Sequence, residues 1–383
     1  MNRRALVLLA IAYFFAFGSV GVQMPLAAPA LLGAGFSAAV VGAMWAARSL
    51  TGTLAPPLWG ALADRVGQGR LFAALSLGLG GLVFTALAVA GREASALALF
   101  ALYGLVGGAS TSLLDGMTLT ALGPHKRRYG NVRLFGAVGF GVTALSASTL
   151  VDAGWLAESA EVVFPMAGGL SVAAAVFVAL TPRLERPRMA RFGELLTAVR
   201  RGRLVAVGAL SLLHWASHGA YTALVTPLAE ARGAGRAAVG VALLVGIVVE
   251  VAMMRLSGSL QDRFGARRLL VFVVAVTSLR WLGLAATEGA ASFIALQALH
   301  GVSFGLFYPT MVSVVAERVP EEARQGSQGL FASLFFGVGG ALGMGAAGAV
   351  FERYGETATW LAMALFSTGA VLVSLLLERE EER

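Results

Sequence analysis

Gly60-Ala-Leu-Ala-Asp64-Arg65-Val-Gly67-Gln-Gly-Arg70 returns far along the chain as Gly258-Ser-Leu-Gln-Asp262-Arg263-Phe-Gly265-Ala-Arg-Arg268. Each copy stands between two long apolar runs. A segment that recurs in the same context marks a duplicated architecture. Between apolar runs it implies two membrane-embedded halves, the plan on which many transporters are built.

Composition agrees with this. The 383 residues are 57% hydrophobic and 13% charged, with a mean hydropathy of +0.78. A soluble domain carries about 25% charged residues. The missing charge falls in unbroken runs of about 20 residues or more, each long enough to cross about 30 Å of hydrocarbon. A transmembrane barrel requires short alternating segments instead. The expected fold is therefore an all-α membrane protein of twelve transmembrane helices in two pseudo-symmetric six-helix bundles.

The spans are read at 5–32, 38–62, 70–90, 94–122, 130–151 and 160–181 in the first half. In the second half they are 203–230, 237–260, 268–287, 289–316, 325–350 and 357–377. The domain reading is 1–181 for the first bundle, 182–203 for a hydrophilic linker with a short surface helix at 192–200, and 204–383 for the second bundle. Met1-Asn-Arg3-Arg4 before an apolar run imitates a signal peptide, but the run outlasts a usual signal core and similar runs follow it. It is read as the first span.

The net charge of +8 does not point to nucleic acid, because the basic residues lie in short connections between apolar runs. Only Arg92, Arg232, Arg236 and Arg353 fall in the loops opposite the termini. That asymmetry places both termini in the cytoplasm. With no cysteine there is neither a disulfide framework nor a cysteine metal site.

Charges inside spans are costly and usually face a cavity or a working site. Asp115 and Glu250 are the acids nearest mid-depth, and Arg48, Arg133 and Arg280 the bases. At 1.5 Å per residue, Arg280 lies about 18 Å into its span and His300 about 16 Å into the next from the other side. Gln297 and His300 share a helical face at i,i+3. Glu250 reaches a similar level, so a carboxylate, a guanidinium and an imidazole can form a proton-handling cluster. A plain Glu250–Arg280 ion pair is the other reading. Asp115 and Arg133, on adjacent spans, either hold a polar solute from two sides or form a structural pair. His214 and His218 at i,i+4 read as one polar helix face and not as a metal site, since no carboxylate or cysteine accompanies them. Neither a metal nor a cofactor is expected, apart from a coupling proton.

The loop G-x-L-x-D-R-x-G-x-x-R resembles the signature between spans two and three of the major facilitator superfamily. In that superfamily its acid and arginines latch cytoplasmic helix ends, which implies that role for Asp64, Arg65, Asp262 and Arg263. A narrower resemblance reaches the lactose permease and phenylpropionate-permease-like branch. Tyr129-Gly-Asn-Val-Arg133-Leu-Phe-Gly136-Ala-Val-Gly139-Phe140 looks like the branch's span-five stretch. It implies Arg133, Asp115 and the stacking aromatic Phe140 as substrate ligands. Ser278-Leu-Arg280-Trp281 and Gln297-Ala-Leu-His300-Gly-Val-Ser303-Phe304 look like further segments of that branch. Glu250, Arg48 and His218 also match it by position, and Tyr221 joins the expected substrate-binding set. Where lactose permease has a proton-carrying glutamate, this chain has Ser303, which leaves Glu250 as the proton carrier.

The resulting expectation is a proton-coupled symporter of the bacterial inner membrane that imports a sugar, nucleoside or aryl or organic acid by alternating access. Its partners are that small molecule, protons and membrane lipid, with no nucleic acid, and it functions as a monomer. The alternative is a drug–proton antiporter. Against it, Gly139-Phe140-Gly141-Val-Thr-Ala lacks the proline of the exporters' span-five element. An enzyme is excluded by the absence of a nucleophile elbow, an H-E-x-x-H pair or a phosphate-binding loop.

Overall fold

The computed structural model describes residues 2–183, 205–318 and 324–381. The side chains of Asp64, Lys126, Arg127, Val205, 316–336 and those after 375 lie outside the description. The linker expected over 182–203 falls outside it from residue 184 onward, as does the surface helix at 192–200. The chain divides into two compact units, Met1–Met189 and Ala190–Arg383.

All regular structure among the described residues is helical. The first unit holds α1 (Arg3–Gly33), α2 (Ala38–Val66), α3 (Gly69–Ala86), α4 (Glu93–Gly107), α5 (Ser110–Leu122), α6 (Tyr129–Asp152) and α7 (Ala160–Ala179). The second holds α8 (Val205–Ala216), α9 (Gly219–Glu230), α10 (Arg236–Phe264), α11 (Ala266–Ala286), α12 (Ala290–Arg318) and α13 (Arg324–Glu381). Nine helical segments among the described residues are long and apolar enough to cross a membrane. Such helices satisfy every backbone group internally, as a lipid surround demands.

Boundaries follow local chemistry. Asn2 caps α1 by accepting from the Ala5 N–H at 3.1 Å, and Ser37 caps α2 by accepting from that of Val40. The glycine of the repeated loop ends α2 in its first copy and α10 in its second, at φ 68° for Gly67 and 79° for Gly265. Two expected spans are broken. The stretch 94–122 turns at Gly108–Ala109 between α4 and α5, and 203–230 turns at Ser217–His218 between α8 and α9. Conversely, the last two expected spans run on as α13, with only Gly355 (φ 80°) leaving helical geometry.

The two units repeat one packing scheme. In the first, α1 packs on α6 and α7, α2 on α4, and α3 on α7. In the second, α8 and α9 pack on α13, α10 on α12, and α11 on α13 and α12. Small residues let the backbones close up in both. A Cβ on Gly139 of α6 would meet the backbone of Phe14, and one on Gly343 of α13 that of Ala216.

Candidate functional site

In the first unit three helices meet at Tyr13. Tyr13 is fully buried in α1 and donates its hydroxyl to Asp115 Oδ1 of α5 at 2.5 Å. The Thr118 hydroxyl donates to the same phenol oxygen at 3.5 Å, and Tyr129 stands beside the same carboxylate. The Arg133 guanidinium of α6 lies 3.9 Å from the centroid of the Phe17 ring and 5.4 Å from that of Tyr13. Its seat is made by Gly136, where a Cβ would run into Arg133 Nη1 and the Phe17 ring.

Asp115 and Arg133 thus meet at Tyr13 without forming an ion pair among the described residues. The cation keeps two aromatic faces for neighbours, a favourable contact of about 0.5–2 kcal/mol that leaves its fork of donors for other partners. Phe140 is buried two turns further along α6, with its backbone against Gly21, and belongs to the α1–α6 crossing. The rings that flank Arg133 are Tyr13 and Phe17. Arg48 of α2 sits apart from this group, over Trp45 at 5.3 Å and Tyr103 at 5.1 Å.

The second unit brings its expected residues into one buried cluster. Arg280 of α11 is fully buried and donates from Nη2 to Gln297 Oε1 at 2.6 Å, while Nη1 lies 3.2 Å from His300 Nδ1. A guanidinium has donors only. His300 Nδ1 is therefore the acceptor, and the imidazole is neutral with its proton on Nε2. Arg280 also lies over Tyr221 (4.5 Å) and Trp281 (4.1 Å), and Tyr221 lies 4.6 Å from the His300 ring.

His218 extends this group, 5.8 Å from His300 and 4.7 Å from His214, whose ring stacks on Phe307 at 3.7 Å. Among the described residues both ring nitrogens of His214 and Nε2 of His218 have no hydrogen-bond partner. The Arg280 Nε and Gln297 Nε2 share that condition. Among the described residues no group of three or more His, Cys, Asp or Glu is arranged to hold a metal ion.

Glu250 of α10 is brought to this level by the helix crossing. Gly301 and Gly305 of α12 receive its backbone: a Cβ on either glycine would meet Glu250 main-chain atoms. Glu250 is half-buried. The Arg280 guanidinium reaches His300 from Nη1 and Gln297 from Nη2. Of the loop residues, Arg65, Asp262 and Arg263 are exposed and form no ion pair among the described residues, and the Asp64 side chain lies outside the description. Arg70 of the first loop donates to the Thr181 carbonyl at 2.8 Å and ties the start of α3 to the end of α7.

Sequence reasoning missed Tyr13, Gln23 and Tyr103, each a polar group at span depth. Trp281 stacks on Trp360 at 5.5 Å, beside Arg280.

Comparison with known proteins decides the family. The description "MFS_1 like family" matches residues 6–362. The chain belongs to that family of transporters. A maltose permease of Geobacillus stearothermophilus is 29% identical over 96% of this chain and 93% of its own length. A protein named "Probable 3-phenylpropionic acid transporter" in Escherichia coli K12 is 27% identical over 95% of this chain and 96% of its own. A crystal structure of the nucleoside transporter NupG superposes with a TM-score of 0.83 at 17% identity, covering 98% of this chain and 99% of that one. This MFS_1-like protein is thus a multi-pass membrane transporter, and its relatives are transporters and not enzymes.

Proposed function

We propose that this MFS_1-like protein is a proton-coupled symporter of the bacterial inner membrane, importing a small organic solute by alternating access. In this reading twelve spans cross the membrane, both termini are cytoplasmic and one chain suffices. Its relatives are named for maltose and 3-phenylpropionic acid, which supports a sugar or an aryl or organic acid as the solute, and the fold likeness to NupG keeps nucleosides in that range.

The observation that carries the reading is the contact of Arg280 with a neutral His300 inside a fully buried cluster, with Glu250 on the helix packed alongside. Glu250 takes a proton on one side of the cycle and releases it on the other. Protonated, it removes a negative charge from beside Tyr221, and Arg280 stays held by Gln297 and His300. Deprotonated, it competes with those neutral acceptors for the guanidinium. That competition couples the proton to the geometry of the second unit. Asp115 accepts solute hydroxyls or amines, and Arg133 donates its fork to a carboxylate or paired oxygens. Arg48, Phe140, His218 and Tyr221 are further proposed solute contacts. Asp64, Arg65, Asp262 and Arg263 latch helix ends in one state of the cycle.

Reconstitution in proteoliposomes with an imposed pH gradient tests the coupling. Unmutated protein should accumulate a transported solute above equilibrium, while Glu250→Gln retains equilibrative exchange and loses accumulation. Accumulation unchanged in Glu250→Gln sinks the proton role.

A further inference from the structure

The first unit carries a second arginine station, remote from Asp115 and Arg133. Gln23 lies ten residues beyond Tyr13 on the same continuous helix, which sets the two levels about 15 Å apart along α1. At the Gln23 level three helices are tied together. Gln23 is 2% exposed and donates from Nε2 to Ser19 Oγ at 2.9 Å and to the Tyr103 hydroxyl oxygen at 3.2 Å. Ser19 passes the chain on to the Ala167 carbonyl at 2.6 Å. Tyr103 is thereby fixed by α1 and α7, and its ring, with that of Trp45, flanks the Arg48 guanidinium.

The backbone under Arg48 is equally constrained. The Gly104 position of α4 has no room for a Cβ beside the Arg48 carbonyl, and Thr51, one turn further along α2, donates to the Ala101 carbonyl at 2.7 Å. The station is a rigid aromatic seat holding one half-buried cation.

Among the described residues this seat has no acceptor. No described acid forms an ion pair with Arg48. Trp45 is 4% exposed, and its indole N–H has no hydrogen-bond partner among the described residues. A charge placed inside a span without a counter-charge is expensive, and such residues mark solute pathways. A buried unpaired donor is costly, so it marks a position where a ligand acceptor belongs. A guanidinium and an indole N–H side by side fit a ligand that only accepts hydrogen bonds and carries one negative charge. A phosphate dianion would bring a second charge that this seat does not neutralise.

We infer that Arg48, Trp45 and Tyr103 form a separate capture station for the carboxylate group of an organic acid, through which solute passes on its way to or from Arg133. The inference uses the transport function and does not depend on proton coupling, so the pH-gradient experiment and the one below fail independently.

Trp45 is a built-in reporter. The purified full chain in detergent is titrated with sodium 3-phenylpropionate, with 3-phenylpropionamide and with inorganic phosphate, following tryptophan emission. The acid should change the emission, and Trp45→Phe should remove that change. Arg48→Gln should weaken the response by about tenfold or more, equal to about 1.4 kcal/mol. Arg48→Lys, which keeps the charge but loses the planar fork, should fall between. Arg133→Gln should leave the Trp45 response in place, and amide and phosphate should give none. Melting curves of the Arg48 variants check that they fold, and the lysine variant carries the test if the glutamine variant does not. No response to the acid, an equal response to the amide, or a Trp45 signal abolished by Arg133→Gln as fully as by Arg48→Gln would each overturn the proposal.

Discussion

The two units share a packing scheme and differ in what they do with buried charge. In the first, Arg133 and Arg48 rest on aromatic faces, and Asp115 is held by a tyrosine hydroxyl, so the three charges do not neutralise one another in pairs. In the second, Arg280 is fully buried, and its forks end on Gln297 and His300. Duplication fixed where helices cross, and divergence then set the chemistry at the crossings. Charges left with open donors suit solute capture. A charge closed onto titratable and neutral acceptors suits control of a proton.

The strongest break in this comparison is made at what the units have in common. Gly139→Leu and Gly343→Leu both drive a side chain into a neighbouring backbone, at Phe14 and Ala216 respectively. Neither contact can yield without separating two helices. Each should cost upward of about 4 kcal/mol, with loss of folded protein on thermal melting in detergent. If one variant melts like the unmutated protein, the repeat of the crossing is not structural there.

A smaller effect separates the units. Arg280→Leu strands Gln297 Oε1 and His300 Nδ1 without their donor in a buried core. At about 1–3 kcal/mol for each unmet group, the loss should be about 3 kcal/mol. Arg133→Leu removes a half-buried cation with no acceptor among the described residues, and should cost about 0.5–2 kcal/mol, less than Arg280→Leu, while abolishing solute uptake. Melting temperature and uptake measured together on both variants give the contrast. Equal destabilisation by the two would erase the distinction between a closed and an open charge.

Much of this was legible from residue types alone. Arg280, His300 and Gln297 were placed together by depth along two antiparallel spans, since helical rise is fixed and the turn between them is short. What depth does not report is rotation about each helix axis. That is why the sharing of Tyr13 by Asp115 and Arg133, and the seat of Phe140 at the α1–α6 crossing, are seen only in the structure. Tyr13 and Tyr103 went unread because a lone tyrosine in an apolar run is usually packing. Their roles come from partners 80 and 102 residues away. The breaks at Gly108–Ala109 and Ser217–His218 were equally silent, because apolar composition continues through them.

The smallest predicted effect returns to the repeated loop, where the two copies differ in backbone. Gly67 adopts φ 68°, ψ 20°, the left-handed helical region, which asparagine enters readily. Gly265 sits at φ 79°, ψ 146°, a region that side chains other than hydrogen rarely enter. Nothing crowds a Cβ at either position, so space does not decide the outcome. Gly67→Asn should therefore cost less than Gly265→Asn, because asparagine is the usual alternative to glycine at an αL cap. Gly265→Asn should cost about 1–2 kcal/mol through backbone strain alone. Thermal melting of the two variants side by side reads the difference. Equal shifts would mean that the second copy of the loop relaxes to the geometry of the first, and that the asymmetry between the units stops at their buried charges.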